Sequence, residues 1–123
     1  MRKVTYSLAL TLDGYIKDED GHFDWGDPSE EVFRLATDEV RGADVHLMGR
    51  RLYETMVYWE PGAEEQDWGE LELGFAELWR ALPKVVFSNS ISEVVGNTRL
   101  AGASLADEIA QLKAEPGDGT IAI

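Results

Sequence analysis

Cysteine is missing altogether from this 123-residue chain. That excludes disulfides, thiolate chemistry and cysteine-ligated zinc, and it fits a reducing compartment. Basic residues are scarce: 11 Lys plus Arg stand against 24 Asp plus Glu, a formal charge of −13. Such a field repels phosphate backbones and anionic lipid heads over about a Debye length, so neither nucleic acid nor a membrane surface is expected as a partner. No apolar run approaches the roughly 20 residues a membrane helix needs. The start, Met1-Arg2-Lys3, is basic, but the apolar stretch behind it is broken by Thr and Ser and ends in Asp13-Gly14 without a small-residue cleavage site. It reads as a strand and not as a signal peptide, and a cytoplasmic protein is expected. Neither a nucleophile elbow nor a Walker P-loop occurs, which leaves hydrolase and kinase readings without support.

What the chain does contain is strands alternating with amphipathic helices. With 44% of positions apolar, one domain over residues 1–123 can bury a single core. Val4 to Leu12 is rich in β-formers and predicts a central strand covered on both faces. Asp27, Pro28 and Glu30 mark a helix start, with Val32, Phe33, Leu35, Ala36 and Val40 on its apolar side and Gly42 at its end. Asp44 to Met48 predicts a second strand that runs into a helix near Arg50. Glu60 to Trp68 reads as an acidic loop. Leu71 to Leu82 carries Phe75, Leu78, Trp79 and Leu82 at helical spacing and stops at Pro83. Lys84 to Ser88 and Thr98 to Ala101 predict two further strands. Ser104 and Asp107 open a helix whose Leu105, Ile109 and Leu112 face the core, and Thr120 to Ile123 predicts a last strand. The alternation implies an α/β fold, three layers α/β/α around a mostly parallel sheet.

In such sheets ligands sit outside the carboxyl ends of the strands. Here those ends are Asp13-Gly14, Gly49-Arg50-Arg51 and Ser88-Asn89. Glycine permits a tight turn and close approach of a ligand, and two guanidinium groups at a helix start suit phosphate. The alternatives stay open. Arg50 and Arg51 also suit a solvated helix start paired with nearby carboxylates, Asp13 an ordinary turn, and Ser88 and Asn89 an ordinary loop. His46 reads as a hydrogen-bonded sheet residue, His22 as a solvated one, and Trp79 as core. The acidic loop Asp18 to Asp24 has its glycine and its twelfth residue, Ser29, wrong for an EF-hand, so no metal site is expected.

The runs Ser7-Leu8-Ala9-Leu10-Thr11-Leu12-Asp13-Gly14-Tyr15-Ile16, Leu47-Met48-Gly49-Arg50-Arg51-Leu52-Tyr53-Glu54 and Val86-Phe87-Ser88-Asn89 resemble the dihydrofolate reductase-like superfamily. The nearer likeness is to the C-terminal reductase domain of the riboflavin biosynthesis deaminase-reductase. The resemblance implies an NADPH-dependent oxidoreductase that transfers hydride to a pterin-like or ribosylaminopyrimidine-like heterocycle. By position it places Gly49, Arg50 and Arg51 at the cofactor phosphates, Ser88 and Asn89 at the adenosine ribose and its 2′-phosphate, and Leu10 and Ile16 beside the nicotinamide. Asp13 would position or protonate substrate, and Trp25 would close over it. Leu52 stands where the family usually has threonine. The resemblance also implies a Gly-Gly turn, a helix and further strands after the segment matching Gly119 to Ile123, so the chain reads as C-terminally shortened, and a homodimer is expected to cover the exposed strand. The alternative is a weakened or inactive member acting as a nucleotide-binding or assembly module.

Overall fold

The computed structural model describes residues 2–10, 12–17, 19–20, 29–60 and 68–123. Five strands form one sheet: β1 (Val4–Thr5), β2 (Ala43–Gly49), β3 (Lys84–Phe87), β4 (Thr98–Leu100) and β5 (Thr120–Ala122). Their order is β1-β5-β2-β3-β4, and every pairing is parallel. Parallel strands need crossovers, supplied by helices α1 (Glu30–Arg41), α2 (Arg50–Met56), α3 (Glu70–Ala81) and α4 (Leu105–Ala114). Both faces of the sheet are covered, hence the near-continuous apolar runs. Val45, Leu47, Val85 and Ile121 pack with Leu112 of α4 on one face. Met48 and Val86 pack with Phe75 and Trp79 of α3 on the other, where Phe33, Val40, Tyr53 and Met56 of α1 and α2 also lie. The three-layer α/β/α architecture is the one the sequence predicts.

The first strand is much shorter than its composition suggests. Only Val4 and Thr5 pair, and the strand lies at the sheet edge instead of its centre. Its single neighbour β5 holds it through Ile121 N–H to the Lys3 carbonyl and Ile123 N–H to the Thr5 carbonyl. Past Thr5 no strand partner exists among the described residues, and Tyr6, Leu8, Leu10 and Leu12 are exposed. High β-propensity without a ladder does not make a strand.

Two helix readings also change. α1 is capped by Ser29, whose Oγ accepts from Val32 N–H at 3.3 Å; Asp27 and Pro28 lie outside the described residues. Its inward stripe is Phe33, Thr37 and Val40, so Val32 and Leu35, displaced around the helix, are exposed, and no residue of α1 is fully buried. In α4, capped by Ser104 as its sequence predicts, Leu105 is exposed while Glu108 is buried. The reason is a built-in partner set: Arg99 donates to both Glu108 carboxylate oxygens at 3.1 and 2.6 Å, and Gly102 N–H donates at 2.9 Å. These bonds hold the Glu108 carboxyl below its usual range, the Arg99 guanidinium being the main cause.

Glu60, read from sequence as the start of an acidic loop, is also buried. Its carboxylate lies 3.8 Å from the Lys84 ammonium and fills the space over Gly96, whose φ is +74°. A Cβ at Gly96 would come within 2.2 Å of that carboxylate, whereas one at Gly14 (φ +92°) would meet nothing within 4 Å. Gly14→Ala should therefore cost only the left-handed backbone penalty of about 1–2 kcal/mol. Gly96→Ala should cost clearly more, because it also displaces a buried ion pair. Equal shifts in urea midpoint for the two variants would contradict this account.

Candidate functional site

β2 ends at Gly49, and the register sets Gly49 beside Phe87 of β3, so Ser88 follows at the same edge. The Gly49 backbone is extended, φ −85° and ψ 176°, which any residue can adopt. Its value lies elsewhere: a Cβ there would meet nothing within 4 Å, so the strand tip opens onto free space. Arg50 reaches across this edge, Nη1 donating to Ser90 Oγ at 2.8 Å while Nε contacts Glu54 Oε1 at 2.6 Å. Ser90 N–H donates to Ser88 Oγ at 3.1 Å, which shapes the loop carrying the exposed Asn89. Arg51 is exposed and has no ion-pair partner among the described residues. Thus Gly49, Arg50, Ser88 and Asn89 come together at two adjacent strand tips, with Ser90 as a member that sequence reasoning missed. Its signal was present, a Ser-Asn-Ser run directly after an apolar strand.

The bland reading of Arg50 is partly realised in its pair with Glu54. The pair is half exposed on both sides and has arginine N-terminal to glutamate, the less favourable helical order, so it stabilises little. An anion could take Glu54's place at small cost.

Asp13 lies in a turn that Gly14 closes with its positive φ. Leu10 and Ile16, on either side, are exposed. This segment follows β1, which β5 separates from β2 in the sheet. Trp25 falls outside the described residues.

A cavity of about 480 Å³ opens between the sheet and α1. Leu52 and Met56 of α2 line it, so the helix that begins with the two arginines also walls this chamber. His46, Phe75 and Trp79 contribute to its lining, and Ser7 and Glu39 also line it, the Ser7 hydroxyl donating to the Glu39 carboxylate at 3.1–3.2 Å. His46 is the sheet residue its sequence predicts, its backbone N–H pairing with the Pro83 carbonyl, but its Nδ1 is buried without a hydrogen-bond partner among the described residues. The ring stands edge-on to Trp79, centroids 5.4 Å apart, and Trp79 is core as expected. Strand alternation already put His46 on the Met48 face, away from Val45 and Leu47. That was the available sign that it faces a packed layer.

Burial pushes the His46 imidazole below its usual value, the Leu47 backbone offsets part of this, and Lys84 lowers it further. The folded state therefore resists a proton that the unfolded chain accepts. Stability should fall as pH drops below about 6.5, by at most about 1.4 kcal/mol per pH unit. Thermal melts at pH 7.5 and 5.5 should show this loss, and His46→Gln should reduce it; an unchanged difference in the variant would contradict the assignment.

Comparison with known proteins decides the family. Residues 2–115 match the model of the RibD C-terminal domain. The chain belongs to that family. It is 29% identical over 121 residues to the "Uncharacterized protein YyaP" of Bacillus subtilis (strain 168), covering 94% of this chain and 59% of that one. The fold also matches a crystal structure from Shewanella sp. PV-4 named "Putative riboflavin biosynthesis protein", with TM-score 0.63 and 24% identity over the whole of this chain and 64% of the other. At that identity the likeness shows the fold alone. The chain thus spans less than two thirds of the length of either relative. Membership fixes a reductase-like fold of the riboflavin biosynthesis family. Among the described residues no helix is long and apolar enough to cross a membrane.

Proposed function

We propose that the chain is an NADPH-dependent reductase of a small pterin-like or ribosylaminopyrimidine-like heterocycle, cytoplasmic and homodimeric. The observation that carries this reading is the donor set at the β2 and β3 tips. In a chain of net charge −13, Arg51 is exposed with no carboxylate partner among the described residues, and Arg50 reaches to Ser90 Oγ at 2.8 Å. Guanidinium, hydroxyl and amide donors on one edge suit a phosphate-bearing dinucleotide. Arg50 and Arg51 would hold its phosphates, and Ser88 with Asn89 the ribose and 2′-phosphate. Bound there, NADPH would supply the hydride for reduction of an electron-poor C=N or C=O group, whose heteroatom would take up a proton. The chain's own residues orient and desolvate. The cavity walled by α2 holds the heterocycle, Leu10 and Ile16 border the ring, and Asp13 holds or delivers the proton.

One observation favours the alternative of a nucleotide-binding or assembly module without turnover. Tyr6, Leu8, Leu10 and Leu12, on the segment assigned to the nicotinamide side, are exposed. Calorimetric titration with NADPH and NADH separates a nucleotide site from an assembly role without one. Micromolar binding of NADPH, with NADH much weaker, is expected. Binding of neither nucleotide leaves only the assembly reading.

A further inference from the structure

Ser90 is the member of the strand-tip set with no task in the dinucleotide reading, yet it sits at the centre of the hydrogen bonds there. Its hydroxyl accepts from Arg50 Nη1 at 2.8 Å and lies 3.1 Å from the Ser88 hydroxyl, while its N–H donates to Ser88 Oγ at 3.1 Å. Glu54 holds the other side of the guanidinium, Nε at 2.6 Å. A guanidinium only donates, and a serine hydroxyl has one hydrogen and two lone pairs. The open choice is therefore which serine donates to the other. If Ser90 donates, both Ser88 lone pairs are filled, by the Ser90 hydroxyl and the Ser90 N–H, and the Ser88 hydrogen is left for a ligand. If Ser88 donates, its hydrogen points back towards the guanidinium and Ser90 takes two donors into one oxygen. The first order runs one way, from Arg50 to Ser90 to Ser88. Hydrogen bonds aligned head to tail strengthen one another, and a cation at the head favours O–H groups directed away from it. An acceptor at the far end selects the same direction.

We propose that Ser90 is a positioning residue, holding the Arg50 guanidinium across the β2 and β3 tips and turning the Ser88 hydroxyl into a fixed outward donor, so that this edge prefers a phosphate ester to the corresponding free hydroxyl. The proposal rests on the dinucleotide reading only in taking this edge as the ligand's seat. A lone serine rotates to meet a donor or an acceptor. Ser88 in this chain only donates. It suits an ester phosphate, whose oxygens accept, and has no lone pair left for the hydrogen of a ribose hydroxyl. The groups concerned are within reach of a ligand: Arg50, Asn89 and Ser90 are exposed and Ser88 is half-buried. Ser90 thus carries the polarity of Arg50 to a second point on the edge, which the guanidinium itself does not occupy.

Adenosine 2′,5′-bisphosphate and adenosine 5′-monophosphate differ only in the 2′ group and serve as probes, titrated by calorimetry against the full chain without dinucleotide. Ser90→Ala should weaken binding of the bisphosphate roughly three- to tenfold, the worth of one hydrogen bond, and change that of the monophosphate by less than about twofold. Ser90→Thr keeps the hydroxyl and should restore the preference. Because Ser90 acts through Arg50, Ser90→Ala should add almost nothing in an Arg50→Ala background, whereas two independent contacts would add. The urea midpoint of Ser90→Ala should hold, since the side chain is exposed. Equal loss for both probes, full additivity with Arg50→Ala, no recovery in Ser90→Thr, or no binding of the bisphosphate by the wild-type chain overturns the proposal. NADPH is titrated separately. If it fails to bind while the bisphosphate pattern holds, the reductase reading falls and the role of Ser90 stands. If NADPH binds and Ser90→Ala leaves bisphosphate affinity unchanged, the role of Ser90 falls and the reductase reading stands.

Discussion

Lys84→Ala should destabilise the fold by about 3–5 kcal/mol, the usual cost of removing one partner from a buried ion pair. Lys84 opens β3, and its side chain is 2% exposed. The ammonium donates to the carbonyls of Trp79 and Leu82 at the end of α3, lies 5.0 Å from the Trp79 ring centroid and faces Glu60. It thus satisfies carbonyls that a helix end leaves without partners, and its loss would strand the Glu60 carboxylate in the interior. Burial lowers the Lys84 ammonium from its ordinary value, only partly offset by Glu60. A domain of this size has about 5–15 kcal/mol in total. Urea unfolding of Lys84→Ala should therefore show a midpoint lowered by more than 1 M or no folded baseline, given slopes of about 1–3 kcal/mol per M. Lys84→Met combined with Glu60→Gln should recover much of the loss. A shift below about 1 kcal/mol in the single variant would contradict the structural role assigned here.

The second large effect concerns ligand affinity. Arg51→Ala should weaken NADPH binding by roughly 10- to 100-fold, the range for losing charge-assisted hydrogen bonds to phosphate. Arg50→Ala should cost less, because Glu54 and Ser90 already compete for that guanidinium. The urea midpoint should hardly move in either variant, since both side chains are exposed and the Arg50–Glu54 pair contributes little. Calorimetry of the two single variants and the double variant checks the order. Wild-type affinity in the double variant would remove the arginines from the binding site.

The parts of this fold that local chemistry specifies were legible in the sequence. Ser104 as a cap, Phe75 and Trp79 at helical spacing, Gly42 and Pro83 as stops, and the apolar β2 and β3 runs each carry their own cause within a few residues. The failures share a different cause. Whether Val4 to Leu12 is a strand depends on what pairs with it, and β5 is over a hundred residues away. Glu108 is buried because Arg99 and Gly102 wait for it, and Glu60 because Lys84 and a side-chain-free Gly96 leave it a slot. None of these pairings has a periodic signature. At the site, Gly49, Arg50, Ser88 and Asn89 were readable as strand-end chemistry and Ser90 belongs to the same run, whereas the partnerless His46 nitrogen emerges only when β2 packs against α3.

The strand order carries one more implication. β5 lies between β1 and β2, although it is the latest of the strands to be synthesised. Until it emerges from the ribosome, the nascent chain can assemble β2, β3 and β4 but holds a gap where two strand flanks display raw backbone amides and carbonyls. Such flanks template wrong pairings, so this protein's yield in the cell should depend on chaperone supply in the interval before β5 leaves the ribosome more than on the stability of its finished form.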